Sequence, residues 1–180
     1  MTTHIDLGSV LRQTLSANLY SNLVTRPTGA AVRTQIELQL RDTDPSLTII
    51  DFSHVSMIDF SCADEVIAKL LLRLSTDREA YVVFRGLTDD HWDSVEAVLE
   101  RHGLALVVER ESGVELVGVL NDLERRAFQA IKRRGRTEVW ELARDLSEAE
   151  SRVRGAIEGM WRRRLVMRVG DTYMPVGELQ

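Results

Sequence analysis

An α/β fold is predicted: a parallel or mixed sheet layered with helices, followed by a helical tail that ends in a hairpin. Three observations carry that expectation. Residues 47–52 and 80–84 are short, apolar, β-branched runs of the kind that form buried strands. Helix-length stretches alternate with them, the strongest placing Ala63, Val66, Ile67, Leu70, Leu71 and Leu74 on one wide stripe. From Asn121 the strands stop, and helix follows helix until a Gly-Asp turn near the end.

Along the front half, residues 4–10 alternate polar side chains with Ile5 and Leu7 and predict a first strand. Residues 12–27 mix turn formers with apolar side chains and give no clear element. From Pro27 or Thr28, Val32, Ile36 and Leu40 recur every fourth residue and predict a helix, which the DTDP stretch at 42–45 breaks. A strand at 47–52 precedes a helix at 61–74. The start of that helix, S-C-A-D, reads as a capping box in which Ser61 accepts the Asp64 amide and Asp64 bonds back. A strand at 80–84 leads to a helix at 89–101 with Trp92, Val95 and Leu99 inward. Its opening Asp89-Asp90-His91 reads as charge at a helix N-terminus. Strands at 104–108 and 115–119 flank a turn at Ser112-Gly113.

In the tail, Asn121 or Asp122 caps a helix whose apolar face is Leu123, Ala127, Phe128 and Ile131, and Gly135 ends it. Thr137 is expected to cap a second helix carrying Val139, Leu142, Ala143 and Leu146. Ser147 is expected to cap a third carrying Ala149, Val153, Ile157 and Met160. Residues 165–169 and 173–176 predict two short strands around Gly170-Asp171.

Length and charge divide the chain in the same place. Its 180 residues suit one medium domain, expected at 1–118, and a small one at 119–180. Apolar residues make up 44% and aromatics 6%, so the core is expected to be aliphatic. Residues 1–120 hold 10 Lys and Arg against 18 Asp and Glu, whereas residues 121–180 hold 13 against 10. A sign change of this kind suggests different partners for the two parts, a polyanion for the second.

Several classes are disfavoured. No run of 18 apolar residues exists and the N-terminus has no basic head before an apolar stretch, so neither a membrane span nor a secretory signal is expected. Cys62 is the single cysteine, which fits a reducing cytoplasm. Four scattered histidines give no metal-ligand spacing. No cysteine–histidine, serine–histidine or paired-carboxylate motif stands out, so no enzyme and no cofactor are expected.

Two groups of candidate residues remain. Asp59, Ser61 and Asp64 crowd one strand-to-helix junction, where free amides would favour an anion or an acidic partner group. Thr28-Gly29, with Arg26 nearby, could present amides to a phosphate in the same way, or could simply start a helix after Pro27. In the tail, Ser151, Arg152 and Arg154 lie on the third helix, and Arg162, Arg163 and Arg168 lie near the hairpin. Arginines so placed could meet phosphates and base edges, although Glu148 and Glu150 on the first turn would repel them. Ser151, Gly155 and Gly159 form a smooth ridge that admits close backbone approach by a helix, a second copy of the chain or a nucleic-acid strand. Two helical glycines cost about 1 kcal/mol each relative to alanine.

The stretch TEVWELARDLSEAESRVRGAIEGMWRRRLVMR resembles the core of winged helix-turn-helix regulators, in which a small residue (Ala143), a tight turn (Leu146-Ser147) and a buried valine (Val153) precede a wing starting near Leu165-Val166. The stretch LTIIDFSHVSMIDFSCADEVIAKLLLRL resembles the centre of STAS domains, the fold of anti-sigma-factor antagonists, through Asp51, Val55, Ile58, Asp59 and the helix from Ser61. It is more similar to STAS-like domains of unknown function, whose helix starts with a "FADE" type sequence where this chain has CADE. In the antagonists the phosphorylated hydroxyl directly follows the aspartate, whereas here Phe60 follows Asp59 and Ser61 comes one residue later. The resemblances together imply a STAS-like domain with a protein partner, a winged helix that binds DNA, and a regulatory role in transcription. The competing expectation is a protein–protein scaffold that never touches nucleic acid.

Overall fold

A computed structural model gives the fold for residues 2–15, 21–41, 46–74 and 79–177. The chain is mixed α/β. It runs β1 (Thr2–Asp6), α1 (Leu7–Leu15), β2 (Asn22–Leu23), α2 (Arg26–Arg41), β3 (Ser46–Asp51) and β4 (Met57–Ile58). One continuous helical segment follows, made of α3 (Phe60–Ala63), a π-helical turn (Asp64–Ala68) and α4 (Lys69–Leu74). Then come β5 (Ala80–Arg85), α5 (Asp89–His102), β6 (Ala105–Arg110) and β7 (Gly113–Gly118). The tail is α6 (Asp122–Arg134), β8 (Thr137–Glu138), α7 (Val139–Leu146), α8 (Glu150–Arg162), β9 (Val166–Val169) and β10 (Thr172–Pro175). The break expected at 42–45 and part of the unassigned stretch at 12–27 lie outside the described residues.

Three starts differ from the sequence expectation, each for a local reason. The first strand stops at Asp6, because its carboxylate accepts the Gly8 amide (3.0 Å) and the Ser9 hydroxyl (2.9 Å) and so opens a helix. Leu7, Val10 and Leu11 then have helical spacing and are buried. Thr137 is not a helix cap. It pairs with Tyr173 as part of β8, and Glu138 takes the N-cap position. Ser147 ends α7 instead of starting α8: it sits in the left-handed region (φ 52°), and Ala149 takes the N-cap of the next helix.

Five strands form the main sheet in the order β1-β3-β5-β6-β7. The first four are parallel and β7 is antiparallel to β6. Side chains alternate across a strand, and here both faces are apolar. Ile5, Ile50, Val82, Phe84, Leu106 and Val108 point into a core closed by the helices of the front half. Leu47, Tyr81, Val83, Ala105 and Val107 point the other way, into a core shared with Phe128, Ile131, Ile157 and Met160 of the tail. Fully burying such a side chain stabilises by about 1.5–3 kcal/mol. The near-continuous apolar strands therefore have a cause in each half of the chain.

The tail packs three helices around Phe128, Leu142, Val153 and Ile157, with a small antiparallel sheet in the order β8-β10-β9. Its attachment to the sheet is also polar. Arg163 donates to the Val119 carbonyl (3.1 Å) and to Glu124 (2.7 Å). Arg164, at φ 60°, lies over the rings of Tyr81 and Trp161, each 5.7 Å away.

Candidate functional site

Two short parallel strands, β2 and β4, bring the start of α2 beside the start of α3. The Asp59 amide donates to the Leu23 carbonyl (3.0 Å), and Asp59 becomes the N-cap of the helix. Its carboxylate accepts from the Cys62 amide (2.8 Å), the Ser61 hydroxyl (2.9 Å) and the Thr25 amide (3.0 Å). Burial pushes this carboxyl up, but the two backbone amides and Ser61 outweigh it and hold its pKa below the ordinary value. The expected capping box is thus replaced. Asp59 outcompetes Ser61 because its carboxylate reaches the helix amide and a second chain segment at once, and Ser61 spends its proton on Asp59.

Asp64 is released from capping and turns inward with Glu65, on the π-helical turn. The pair is buried, with Glu65 2% exposed. Arg26 donates to both carboxylates at 2.7 Å. His102 stands 2.6 Å from Asp64. Glu65 also accepts from Arg33 (3.3 Å from Nε) and from Lys69, and Arg33 and Arg73 meet again on Glu37. Burial raises the Glu65 pKa, but hydrogen bonds from Lys69 and Arg26 and the charges of Lys69 and Arg33 pull it below the usual carboxylate value. Asp64 is lowered in the same way by Arg26 and His102. These carboxylates are ionised and already saturated.

Gly29 explains how α2 comes so close. A Cβ there would lie 3.0 Å from the Cys62 Cα and 3.1 Å from the Glu65 Cβ. Cys62 is fully buried, and its thiol donates to the Thr25 carbonyl (3.0 Å). Burial, reinforced by the charge of Asp59, pushes it up to about 12, far from a reactive thiolate. Thr28 accepts the Thr25 hydroxyl (3.1 Å). The five residues Asp59, Ser61, Asp64, Arg26 and Thr28 are therefore brought together, but as a cross-braced junction of two helix starts. Among the described residues, no group of three or more His, Cys, Asp or Glu could hold a metal ion, and no helix is long and apolar enough to cross a membrane.

The tail candidates separate into two sets. Ser151, Arg152, Arg154 and Arg162 are exposed on α8, whose other side buries Val153, Ile157 and Met160. Nothing among the described residues lies within 4 Å of a Cβ built on Gly155 or Gly159, so they leave these two positions of the ridge uncovered. Arg152 pairs with half-buried Glu148 and Arg154 with exposed Glu150, each at 2.9 Å. Arg168, on β9, donates to the Gly170 carbonyl and lies over Trp161 (5.3 Å) and Tyr173 (6.0 Å). Arg163 faces the junction with β7 and is engaged there by Glu124.

Glu65, Arg33, Lys69 and His102, which are not among the residues expected from the sequence, complete the buried cluster. The signal was faint: Glu65 abuts the apolar stripe and stands four residues before Lys69, as Arg33 stands four before Glu37. His91, expected as part of the charge at a helix N-terminus, is buried. It accepts the Thr88 amide (3.0 Å) and faces the Val55 carbonyl (2.8 Å), and burial lowers its pKa. No protein-family model matches the chain, and no curated protein matches it in sequence.

Proposed function

We propose that the chain is a regulator of transcription in which a STAS-like front half docks a protein partner and a winged helix-turn-helix tail binds duplex DNA. One observation carries the reading: α8 offers an unobstructed outer face, Ser151-Arg152-Arg154-Gly155-Gly159-Arg162, beside a hairpin bearing Arg168. A helix held from behind by Val153, Ile157 and Met160 has the rigidity a groove reader needs. The absent side chains at Gly155 and Gly159 let a sugar-phosphate strand approach the backbone. The Arg154–Glu150 pair is exposed on both sides and contributes little to folding, and Arg152 is exposed while its partner Glu148 stays held by Arg126, so both arginines can exchange a carboxylate for a phosphate.

Those same pairs support the second reading, a scaffold without nucleic acid, because Glu148 and Glu150 neutralise the arginines that would meet DNA first. A mobility-shift titration with random-sequence duplex separates the two. If Arg152, Arg154, Arg162 and Arg168 each meet a phosphate, affinity falls roughly 100-fold between about 50 and 200 mM salt. Replacing Arg152 and Arg154 with glutamine flattens that salt slope. No shift at the lower salt removes DNA binding and leaves the scaffold.

A further inference from the structure

Strand β7 is an edge of the main sheet, and no other described strand pairs with its outer side. The direction of its free groups follows from the register. The Val119 amide donates to the Leu104 carbonyl, and Ala105 lies opposite Gly118. Hydrogen-bonded pairs recur every second residue in an antiparallel ladder. Val117, Glu115 and Gly113 therefore point their amides and carbonyls at β6, and Val114, Leu116 and Gly118 point theirs outward. Arg125 already takes the Gly118 carbonyl (3.0 Å) from that side.

Beside this edge, over α6, lie two adjoining hollows of about 270 and 390 Å3. They share Arg125 and Gln129 as walls. Leu116, Leu120 and Phe128 floor the first, and Arg126, Arg133 and Leu146 line the second. The turn at Gly177 lies against Val114 at one end.

The charge balance in this groove is one-sided. Its acids are neutralised by cations outside it: Glu115 by Arg110 and Asp145 by Arg134. Arg126 is neutralised by Glu148. Arg125 and Arg133, two turns apart on α6, are exposed and form no ion pair within 4.0 Å among the described residues; Asp145, already held by Arg134, feels the charge of Arg133 only through space. An apolar floor, a ladder edge that no described strand pairs and two guanidinium groups outside any close ion pair suit an extended peptide whose side chains alternate between apolar and acidic. A nucleic-acid backbone would use the arginines but waste the apolar floor.

We infer that β7 and α6 form a docking groove for an acidic, extended segment of a partner protein, which adds a strand to the sheet at Val114–Leu116 and places carboxylates on Arg125 and Arg133. This surface is separate from the exposed face of α8, so it does not depend on DNA binding.

Fluorescence anisotropy with a labelled peptide of alternating valine and glutamate tests it on the full chain, with the valine–lysine peptide as control. The acidic peptide binds and the basic one does not. Arg125→Glu combined with Arg133→Glu, both at exposed positions, weakens binding at least roughly tenfold while circular dichroism stays unchanged. Methylating alternate peptide nitrogens abolishes binding, because a methylated amide cannot join the ladder. The inference is overturned by no anisotropy change at about 100 µM protein, by equal binding of the methylated peptide, by indifference to the double charge reversal, or by displacement of the peptide with random duplex DNA.

Discussion

The arginines of the front half and those of α8 do opposite work with the same chemistry. Around Asp64 and Glu65, Arg26 and Arg33 serve carboxylates that are almost wholly buried, and each carboxylate is held by at least two partners. On α8, exposed Arg154 meets exposed Glu150 a turn earlier, and exposed Arg152 meets Glu148, which is half-buried and also held by Arg126. Breaking a buried pair strands a charge in a poorly solvated place, whereas breaking an exposed one returns both groups to water. Burial, not pairing, therefore separates a brace from a surface available for binding.

The largest effect that could break this comparison comes from Glu65→Ala. It leaves Arg33 and Lys69 without their shared carboxylate and is expected to destabilise by about 3–5 kcal/mol in urea unfolding. The matched surface change, Arg154→Ala, is expected to stay within about 0.5 kcal/mol. Similar values for the two would erase the distinction.

Acid titration sharpens it further. The folded pKa values of Asp59, Asp64 and Glu65 lie below their unfolded ones, so their contribution is complete above the unfolded carboxylate range and is lost as pH falls through the folded values. His91 acts at higher pH. Its folded pKa is lowered, so the unfolded chain gains a proton first, and stability starts to fall below about pH 6.5. Urea midpoints measured from neutral to acidic pH should show the earlier decline flattened in His91→Gln, with the carboxylate decline kept.

The smallest effect is chemical. Cys62 lies behind the same junction, so iodoacetamide at mildly alkaline pH should leave it unlabelled in the native protein and label it fully in urea. Rapid native labelling, followed by mass spectrometry, would mean that the α2–α3 junction opens far more readily than a saturated cluster should.

Much of the body was legible beforehand because its elements advertise themselves locally. The stripe from Ala63 to Leu74, the run at 80–84 and the Asn121 cap, which accepts the Glu124 amide at 2.8 Å, need only neighbours in sequence. The caps at Ser61, Thr137 and Ser147 differ for separate reasons: Asp59 caps in place of Ser61, Thr137 is drawn into β8 and leaves the N-cap to Glu138, and Ser147 adopts the left-handed conformation that ends α7. The site was harder to read. Asp59, Ser61, Asp64, Arg26 and Thr28 do converge, but what they do depends on Arg33, Lys69 and His102, and Arg33 lies more than 30 residues from Glu65, as His102 does from Asp64.

The sequence by itself determined the alternation of strands and helices, the turn to helices at Asn121 and the positions of the glycines, because periodicity and backbone freedom are properties of short stretches. Only the tertiary structure decided that the second face of the sheet is covered by the tail's helices, that Asp64 and Glu65 are braced and not free, and that β7 is an edge which no other described strand pairs. Those outcomes depend on which residues meet across the fold, and burial sets the energy of a charge or an unpaired amide only once its neighbours are in place.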